Sequence, residues 1–272
     1  DMSNLRLGYN MRIYRPGIWY LNPYLNDTDP SYISQGNSEL DSEKSHAFNL
    51  SYSNFTQKFN INLSARYSFT NNSIENVTKL MPDTEIEGLK NPTGKDVLYS
   101  TYANIGKTRR ASVSAYVNWN ATPRTRIYMN MSGDYSYMEG SEGMRNDGWS
   151  LFAYGGAQQT LPHDWRISLN VFGQTPWIML QGKGSSFFDY GLSVNKSFLN
   201  KRLTLSAFAS NFFKKYMDQS STTEGAGFIR ESSYKYSRQR FGISVSYRIG
   251  ELKASVKKAA RTISNDDVKS GG

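Results

Sequence analysis

Apolar and polar residues alternate along most of the chain with a period of two. The first segment to show this has polar or small residues between Leu5, Leu7, Tyr9, Met11 and Ile13. Because successive side chains of a β-strand point to opposite faces, this pattern predicts strands with one apolar and one polar face. We predict ten strands, at residues 3–14, 44–55, 58–72, 98–120, 124–139, 147–160, 164–175, 186–197, 201–213 and 232–250.

One of these strands, 147–160, has an ambiguous alternation. Either Leu151 and Ala153 or Phe152 and Tyr154 would lie on its apolar face. The segment 251–272 has lost the period of two and carries a cluster of lysines and arginines. We therefore divide the chain into a barrel portion, 1–250, and a basic tail, 251–272, which we expect to be solvated.

The connections between the predicted strands alternate between long and short. The long connections are 15–43, 73–97, 140–146, 176–185 and 214–231, and the short ones lie near residues 56, 122, 162 and 199. Outer-membrane barrels combine short periplasmic turns with longer extracellular loops. The predicted strands also exceed the five or six residues usual in soluble sheets. The pattern therefore predicts an all-β fold, an antiparallel transmembrane β-barrel segment whose C-terminus is periplasmic.

Tryptophan placement agrees with a membrane-spanning band. Trp119 and Trp165 lie beside short turns, and Trp149 lies at the other end of its strand, next to a long loop. Aromatic residues form girdles where such barrels cross the membrane interfaces. We therefore expect the strand ends to lie near the two interfaces.

Composition taken alone would suggest a different protein. The 272 residues are 38% hydrophobic, the mean hydropathy is −0.61 and the net charge is +9. The longest run of large apolar residues is four, at 177–180, whereas a transmembrane helix needs about 20. Transmembrane β-strands nevertheless average to polar because they alternate. A soluble β-sandwich binding module remains an alternative, and it would have shorter strands and no lipid-facing band.

The sequence contains no recognisable group of catalytic or metal-binding residues. The chain has no cysteine, so disulfides and thiolate metal sites are excluded. Its two histidines, His46 and His163, are predicted at opposite ends of the strands, too far apart to share a metal or form a dyad. Basic residues are scattered and form no dense stripe, so nucleic acid is not an expected partner. We expect no enzyme activity, no cofactor and no metal site, with outer-membrane lipid as the surrounding partner.

Short motifs along the chain resemble the β-barrel portion of the TonB-dependent receptors of Bacteroidetes-type bacteria. In 15–43 the matching residues are Arg15-Pro16, Leu21-Asn22-Pro23, Asp29-Pro30, Gly36-Asn37, Leu40 and Glu43. Three later segments, 181–186, 200–203 and 240–248, and the tail at 265–269 are also similar to this family. Ser38 and Ser42 depart from the pattern, because proline is usual at both positions.

This resemblance implies a barrel of about 22 strands around an N-terminal plug, which imports ligands too large for porins. The implied partners are the N-terminal strands and plug of the same polypeptide, the TonB system acting through that plug, and a surface lipoprotein. No plug, energy-coupling box or signal peptide is recognisable in the sequence, so we expect a C-terminal part of a longer polypeptide. An independent small outer-membrane barrel, structural or enzymatic, is the alternative, because ten is an even number of strands.

Two groups of residues are candidates for contacts with a plug or a ligand. Four arginines with polar parity lie near the short turns and could pair with plug carboxylates or form a hydrated basic rim: Arg126, Arg166, Arg202 and Arg248. Aromatic residues of the predicted long loops could line a ligand vestibule or pack the loops together: Trp19, Tyr20, Tyr24, Trp177 and Phe187.

Overall fold

The structure is a computed structural model that describes residues 2–250 and the backbone of 268–269. The rest of the predicted basic tail lies outside the described residues. One short helix, α1 (Ile18–Leu21), and two 3-10 turns (Asp83–Glu85 and Ser141–Gly143) accompany the strands. The described strands are β1 (Met2–Pro16), β2 (Asn26–Asp29), β3 (Tyr32–Ser34), β4 (Glu43–Phe55), β5 (Phe59–Pro82), β6 (Asp96–Thr122), β7 (Thr125–Glu139), β8 (Arg145–Leu161), β9 (Trp165–Gln174), β10 (Ile178–Met179), β11 (Gly182–Lys183), β12 (Phe187–Phe198), β13 (Leu203–Ser210), β14 (Tyr216–Gly225), β15 (Phe228–Ser237), β16 (Arg240–Tyr247) and β17 (Val268–Lys269).

Ten long strands form one continuous antiparallel path through residues 2–247. Their order is β1-β4-β5-β6-β7-β8-β9-β12-β13-β16, so each pairs with its neighbours along the chain. Within the described residues, β1 and β16 do not pair with each other, and the sheet stays open. β17 adds a two-residue parallel bridge to Arg15 and Pro16 of β1. The ten predicted strands are confirmed as elements of this sheet, although several of their bounds differ.

The register separates the sheet into an apolar and a polar face. One cross-strand row on the apolar face contains Leu7, Leu50, Ala65, Val113, Gly133 and Leu151. An adjacent row on the polar face contains Asn49, Arg66, Ser112, Asp134 and Ser150. The apolar face is open to its surroundings, since Leu7 is 79% and Ile243 is 82% exposed. A face of this kind requires an apolar environment.

The register also resolves the ambiguous parity of β8. Leu151 pairs with Gly133 and Ala153 pairs with Met131, so both lie on the apolar face. Phe152 and Tyr154 therefore point to the polar face. Sequence periodicity could not decide this, because both faces of β8 carry large apolar side chains.

The apolar face is long enough to span a membrane. Along β6 the apolar positions run from Trp119 to Ala111, a stretch of nine residues. A tilted transmembrane β-strand needs about 9–11 residues. Among the described residues, no helix is long and apolar enough to cross a membrane.

The long-loop end is more ordered than the sequence predicts. The predicted loop 73–97 is wrong at both of its ends, because β5 continues to Pro82 and β6 begins at Asp96, which leaves 83–95 as the connection. A small core of Ile33, Ile86 and Val97 fixes the tip of this hairpin. A second core joins Met138 to Ile178 and Leu180. These cores exist because the hairpin gives loop residues a surface to pack against.

Two strand predictions near the end of the chain are corrected. The predicted strand 201–213 ends at Ser210, because Asn211 has φ +48° and leaves the extended conformation. The predicted strand 232–250 is two strands, β15 and β16, interrupted at 238–239. β15 belongs to a separate four-stranded sheet with the order β10-β11-β14-β15. The interruption lies where Arg238 turns toward Asp189 and forms an ion pair with it.

Candidate functional site

The polar face carries a cleft of about 530 Å³ near the long-loop end. Charged groups of both signs line it, with Arg66 and Arg110 on neighbouring strands and Asp134 beside them. Arg110 donates to Ser136 Oγ at 3.2 Å, and Ser112 donates to the Asp134 carboxylate. The cleft can therefore offer guanidinium donors and a carboxylate acceptor to one polar molecule.

Buried polar groups form the upper wall of this cleft. Glu43 and Ser73 are almost fully buried, and Glu43 accepts a hydrogen bond from the backbone N–H of Ile74. Ser73 shares a hydrogen bond of 3.0 Å with Thr108. The register between β5 and β6 shifts at this point, between Thr70 and Ile74. The side-chain bonds hold the backbone where regular pairing is interrupted.

A chain of aromatic rings crosses the polar face below the cleft. Ring centroids are 5.7 Å apart between Tyr128 and Tyr154, 6.4 Å between Tyr154 and Phe172, and 4.7 Å between Phe172 and Phe187. Phe152 packs edge-on against Phe172 at 5.3 Å. These spacings are typical of interacting aromatic pairs. Sequence reasoning missed this group, because it depends on the parity of β8 and on alignment across four strands.

The four predicted arginines all lie near the short turns and are exposed. Arg126 and Arg166 are on the polar face, as their register requires, and Arg126 Nε donates to Asn118 Oδ1 at 2.7 Å. Arg202 and Arg248 lie just outside β13 and β16, where the Arg248 N–H donates to the Arg202 carbonyl at 2.8 Å. Whether these arginines meet the carboxylates of a plug stays a prediction.

The five aromatic candidates of the long loops fall into different environments. Trp19 and Tyr24 are 72% and 70% exposed, whereas Tyr20 is buried with its ring 4.5 Å from that of Tyr102. Trp177 lies directly against the backbone of Gly184. Phe187 is not in a loop, because it begins β12 and joins the aromatic chain. The structure therefore leaves Trp19, Tyr24 and the outer side of Trp177 accessible.

The two histidines lie at opposite ends of the sheet, as predicted. His46 is on the apolar face of β4, stacked between Tyr9 and Phe69, and its Nδ1 is 2.8 Å from the Tyr9 hydroxyl. His163 is in the short turn between β8 and β9. Within residues 2–250, no three His, Cys, Asp or Glu side chains converge on a point that could hold a metal.

Side-chain amides tie the long connections to the sheet. The Gln181 amide accepts from the Thr78 N–H at 2.8 Å and donates to the Thr78 carbonyl at 2.9 Å, bonding as a neighbouring strand would. Asn146 Nδ2 donates to the carbonyls of Met179 and Gly182. The loop 176–185 is thereby held against β5 and β8, so the long-loop end presents a preformed surface.

Asp83 ties together the two sides of the β5–β6 hairpin tip. Its carboxylate accepts bonds from the Thr93 N–H at 2.6 Å, the Thr93 hydroxyl at 2.8 Å and the Gly94 N–H at 2.7 Å. The Thr93 backbone bond is the largest contribution, and together these donors hold the pKa of Asp83 below its usual value. A lowered pKa means that the charged form stabilises the tip above about pH 4. This stabilisation is lost as the pH falls through the lowered pKa.

We expect Asp83→Asn to loosen the hairpin tip at pH 7, because a neutral amide is a weaker acceptor than a carboxylate. Protection of the Thr93 and Gly94 amides against hydrogen exchange should fall, while that of the β5 and β6 amides below the tip is unchanged. In the parent protein the same protection should decline only below about pH 4. The control is Glu85→Gln, a carboxylate change in the same turn. Equal protection in both variants would contradict this role of Asp83.

Comparison with known protein families matches this architecture to one of them. The sequence profile of the outer membrane protein beta-barrel family aligns with residues 1–247. The chain belongs to the outer membrane protein beta-barrel family. This membership rules out the soluble β-sandwich, and it places the apolar face of this outer-membrane protein in contact with lipid.

A solved structure has a similar fold. The copper transporter OprC matches this outer-membrane protein with a TM-score of 0.60 at 14% sequence identity. The alignment covers 90% of this chain and 38% of OprC, so the chain spans well under half the length of that transporter. A search of curated proteins gave no significant match.

Proposed function

We propose that this chain is the C-terminal barrel portion, over residues 1–250, of a TonB-dependent outer-membrane receptor. In this proposal the protein imports a ligand too large for porins and is not an enzyme. The observation that supports it most is that the ten-strand sheet is open, in a chain of which 90% aligns with only 38% of a transporter. The resemblance of 15–43 to receptors of Bacteroidetes-type bacteria points the same way.

The remaining strands of the proposed barrel would pair with the open edges of β1 and β16. Unpaired strand edges cannot face lipid, because their N–H and C=O groups would lack partners. Closure by strands of the same polypeptide satisfies these groups and gives a barrel of about 22 strands with a plugged lumen. The short turns are then periplasmic, with the basic tail 251–272, and the long connections are extracellular.

The polar face lines the lumen in this arrangement and provides the path for the ligand. Trp19, Tyr24 and Trp177 would make the first contacts at the extracellular end, followed by the cleft of Arg66, Arg110 and Asp134. At the periplasmic mouth, Arg126, Arg166, Arg202 and Arg248 would hold the plug through carboxylates. The TonB system would act through that plug, and a surface lipoprotein would cover the outer mouth. Copper belongs to the description of OprC and is not part of this proposal.

Immunoblotting of outer-membrane fractions with an antibody against residues 85–95 tests the proposal. This chain alone has a mass of 30.9 kDa. We expect one band of more than twice that mass, shifting between unheated and boiled samples as closed barrels do. The same band should be captured with TonB after cross-linking of energised cells. A heat-modifiable band near the mass of this chain would instead support an independent small barrel and overturn the proposal.

A further inference from the structure

The apolar face of the sheet contains a depression of about 590 Å³. It crosses from β1 to β8, and its lining side chains on this face are almost entirely apolar. The floor is made of the small residues Ala65, Ala115 and Gly133, with Leu50 and Leu151 among the walls. The depression exists because these three small residues lie in two adjacent cross-strand rows of β5, β6 and β7, where the neighbouring positions are larger.

Gly133 shows how closely the walls approach. A Cβ atom at this position would lie 3.3 Å from Leu151 Cδ2 and 3.8 Å from the Trp149 ring. A larger side chain on the floor would therefore occupy the depression and press on its walls. The small floor residues therefore determine the shape of the depression, because the rest of this surface carries leucine, methionine and aromatic side chains.

Aromatic rings form the edge of the depression toward the long-loop end. Tyr135 packs against Trp149 with ring centroids 5.4 Å apart, and Tyr67 lies in the same cross-strand row. Tyrosine and tryptophan are enriched where lipid hydrocarbon meets headgroups. The depression therefore lies within the hydrocarbon region, just below the interface at this end.

A cluster of cations lies on the same face above these rings. Arg109 is four residues from Val113 along β6, or about 14 Å, and its guanidinium lies over the Phe69 ring at 5.4 Å. The Arg145 guanidinium carbon lies 4.8 Å from the centroid of the Tyr137 ring, and Lys107 Nζ lies 3.8 Å from Glu139 Oε1. Lys44 on β4 is exposed on the same side. Two carboxylates are nearby, Glu139 and Asp147, which lies in the same cross-strand row as Arg109, so the four cations leave this rim with a net positive charge.

We propose that this surface is a specific binding site for a phosphate-bearing membrane lipid. One acyl chain fills the depression over Ala65, Ala115 and Gly133, and the phosphate-bearing headgroup lies against the rim of cations that extends from β4 to β8: Lys44, Lys107, Arg109 and Arg145. The order of groups along the strands, from acyl groove through aromatic rings to cations, matches the order of groups in such a lipid. The site depends on the outer-membrane location of the family and not on the proposed transport of a ligand.

Native mass spectrometry of the protein extracted from outer membranes in mild detergent tests this site. We expect a tightly retained lipid whose fragments contain phosphate. Its occupancy should fall several-fold in Ala65→Leu, which fills the groove, and in the double variant Lys44→Gln with Arg109→Gln, which removes charge from the rim. Ala207→Leu is the matched control, because it makes the same change on the apolar face of β13, outside the groove.

A second measurement identifies the lipid chemistry. Phosphatidic acid with a brominated acyl chain should quench the fluorescence of Trp149 more strongly than brominated diacylglycerol at equal concentration. The signal of Trp149 is the difference between the parent protein and Trp149→Phe. Equal quenching by both lipids, or equal lipid retention in Ala65→Leu and Ala207→Leu, would overturn the proposal. Neither result would bear on whether the polypeptide is a receptor.

Discussion

Ala115→Arg should destabilise the protein in lipid by about 2–4 kcal/mol, the cost of an arginine near the bilayer midplane on a barrel's lipid face. Ala115 lies midway between Trp119 and Ala111 on β6, with Leu63 and Met131 opposite it in the neighbouring strands. An arginine there would place its guanidinium in hydrocarbon, far from both interfaces. The free energy of unfolding, measured by urea titration in lipid vesicles, should decrease accordingly.

The control for this substitution is Ser132→Arg. Ser132 is beside Met131 on β7 and therefore points to the polar face at nearly the same height. An arginine on that face stays hydrated, so we expect a change below about 1 kcal/mol, as for other surface substitutions. Similar losses for Ala115→Arg and Ser132→Arg would contradict the assignment of the two faces.

Arg238→Gln should destabilise the long-loop end by about 1–3 kcal/mol. Arg238 forms an ion pair with Asp189 of β12, and their side chains are 35% and 21% exposed. Asn211, which is buried, donates to the other oxygen of Asp189 at 2.8 Å and accepts from the Tyr190 N–H at 3.2 Å. Loss of the guanidinium leaves a partly buried carboxylate without its counter-charge. Partial exposure keeps the cost below the roughly 3–5 kcal/mol of a fully buried pair.

A double-mutant cycle separates this ion pair from the general effect of removing a charge. Asp189→Asn together with Arg238→Gln should recover part of the stability lost in Arg238→Gln, because no buried charge remains unpaired. Arg240→Gln, two residues further and exposed, is the control. Unfolding monitored by proteolysis within 214–239 would report on this region directly. If the losses in the free energy of unfolding for Asp189→Asn and Arg238→Gln simply add in the double variant, the two side chains do not stabilise the protein through each other, which would contradict this role of the ion pair.

Periodicity predicts the strands well because the two faces of the sheet meet different environments. β1, β4 and β7 follow the predicted bounds closely, since lipid on one side and polar groups on the other demand strict alternation. At β8 the strand is predicted but its parity is left open, because Phe152 and Tyr154 point to the polar face as part of an aromatic chain. Because this aromatic cluster puts large apolar side chains on the polar face too, the two faces of β8 no longer differ in polarity, and alternation cannot distinguish them.

Long-range contacts explain the remaining differences. The extension of β5 to Pro82 depends on pairing with β6 and on the core around Ile33 and Ile86, which are 53 residues apart in sequence. The break between β15 and β16 depends on Asp189, which is 49 residues from Arg238. Alternation within a segment carries no information about such partners. Of the four candidate arginines, Arg126 and Arg166 lie on the polar face, where alternation within one strand is sufficient to predict them. Arg202 and Arg248 lie just outside their strands, because β13 begins at Leu203 and β16 ends at Tyr247.

Alternate residues of one strand should face lipid and an aqueous interior. Because the sequence has no cysteine, single cysteines can be introduced on β6 at positions 112 to 117 without background labelling. Reactivity toward a small, charged methanethiosulfonate reagent is then measured in intact outer membranes. We predict that Ser112→Cys, Ser114→Cys and Tyr116→Cys react, whereas Val113→Cys, Ala115→Cys and Val117→Cys are protected. Reaction at all six positions, or with the opposite parity, would contradict a membrane-spanning sheet with these faces.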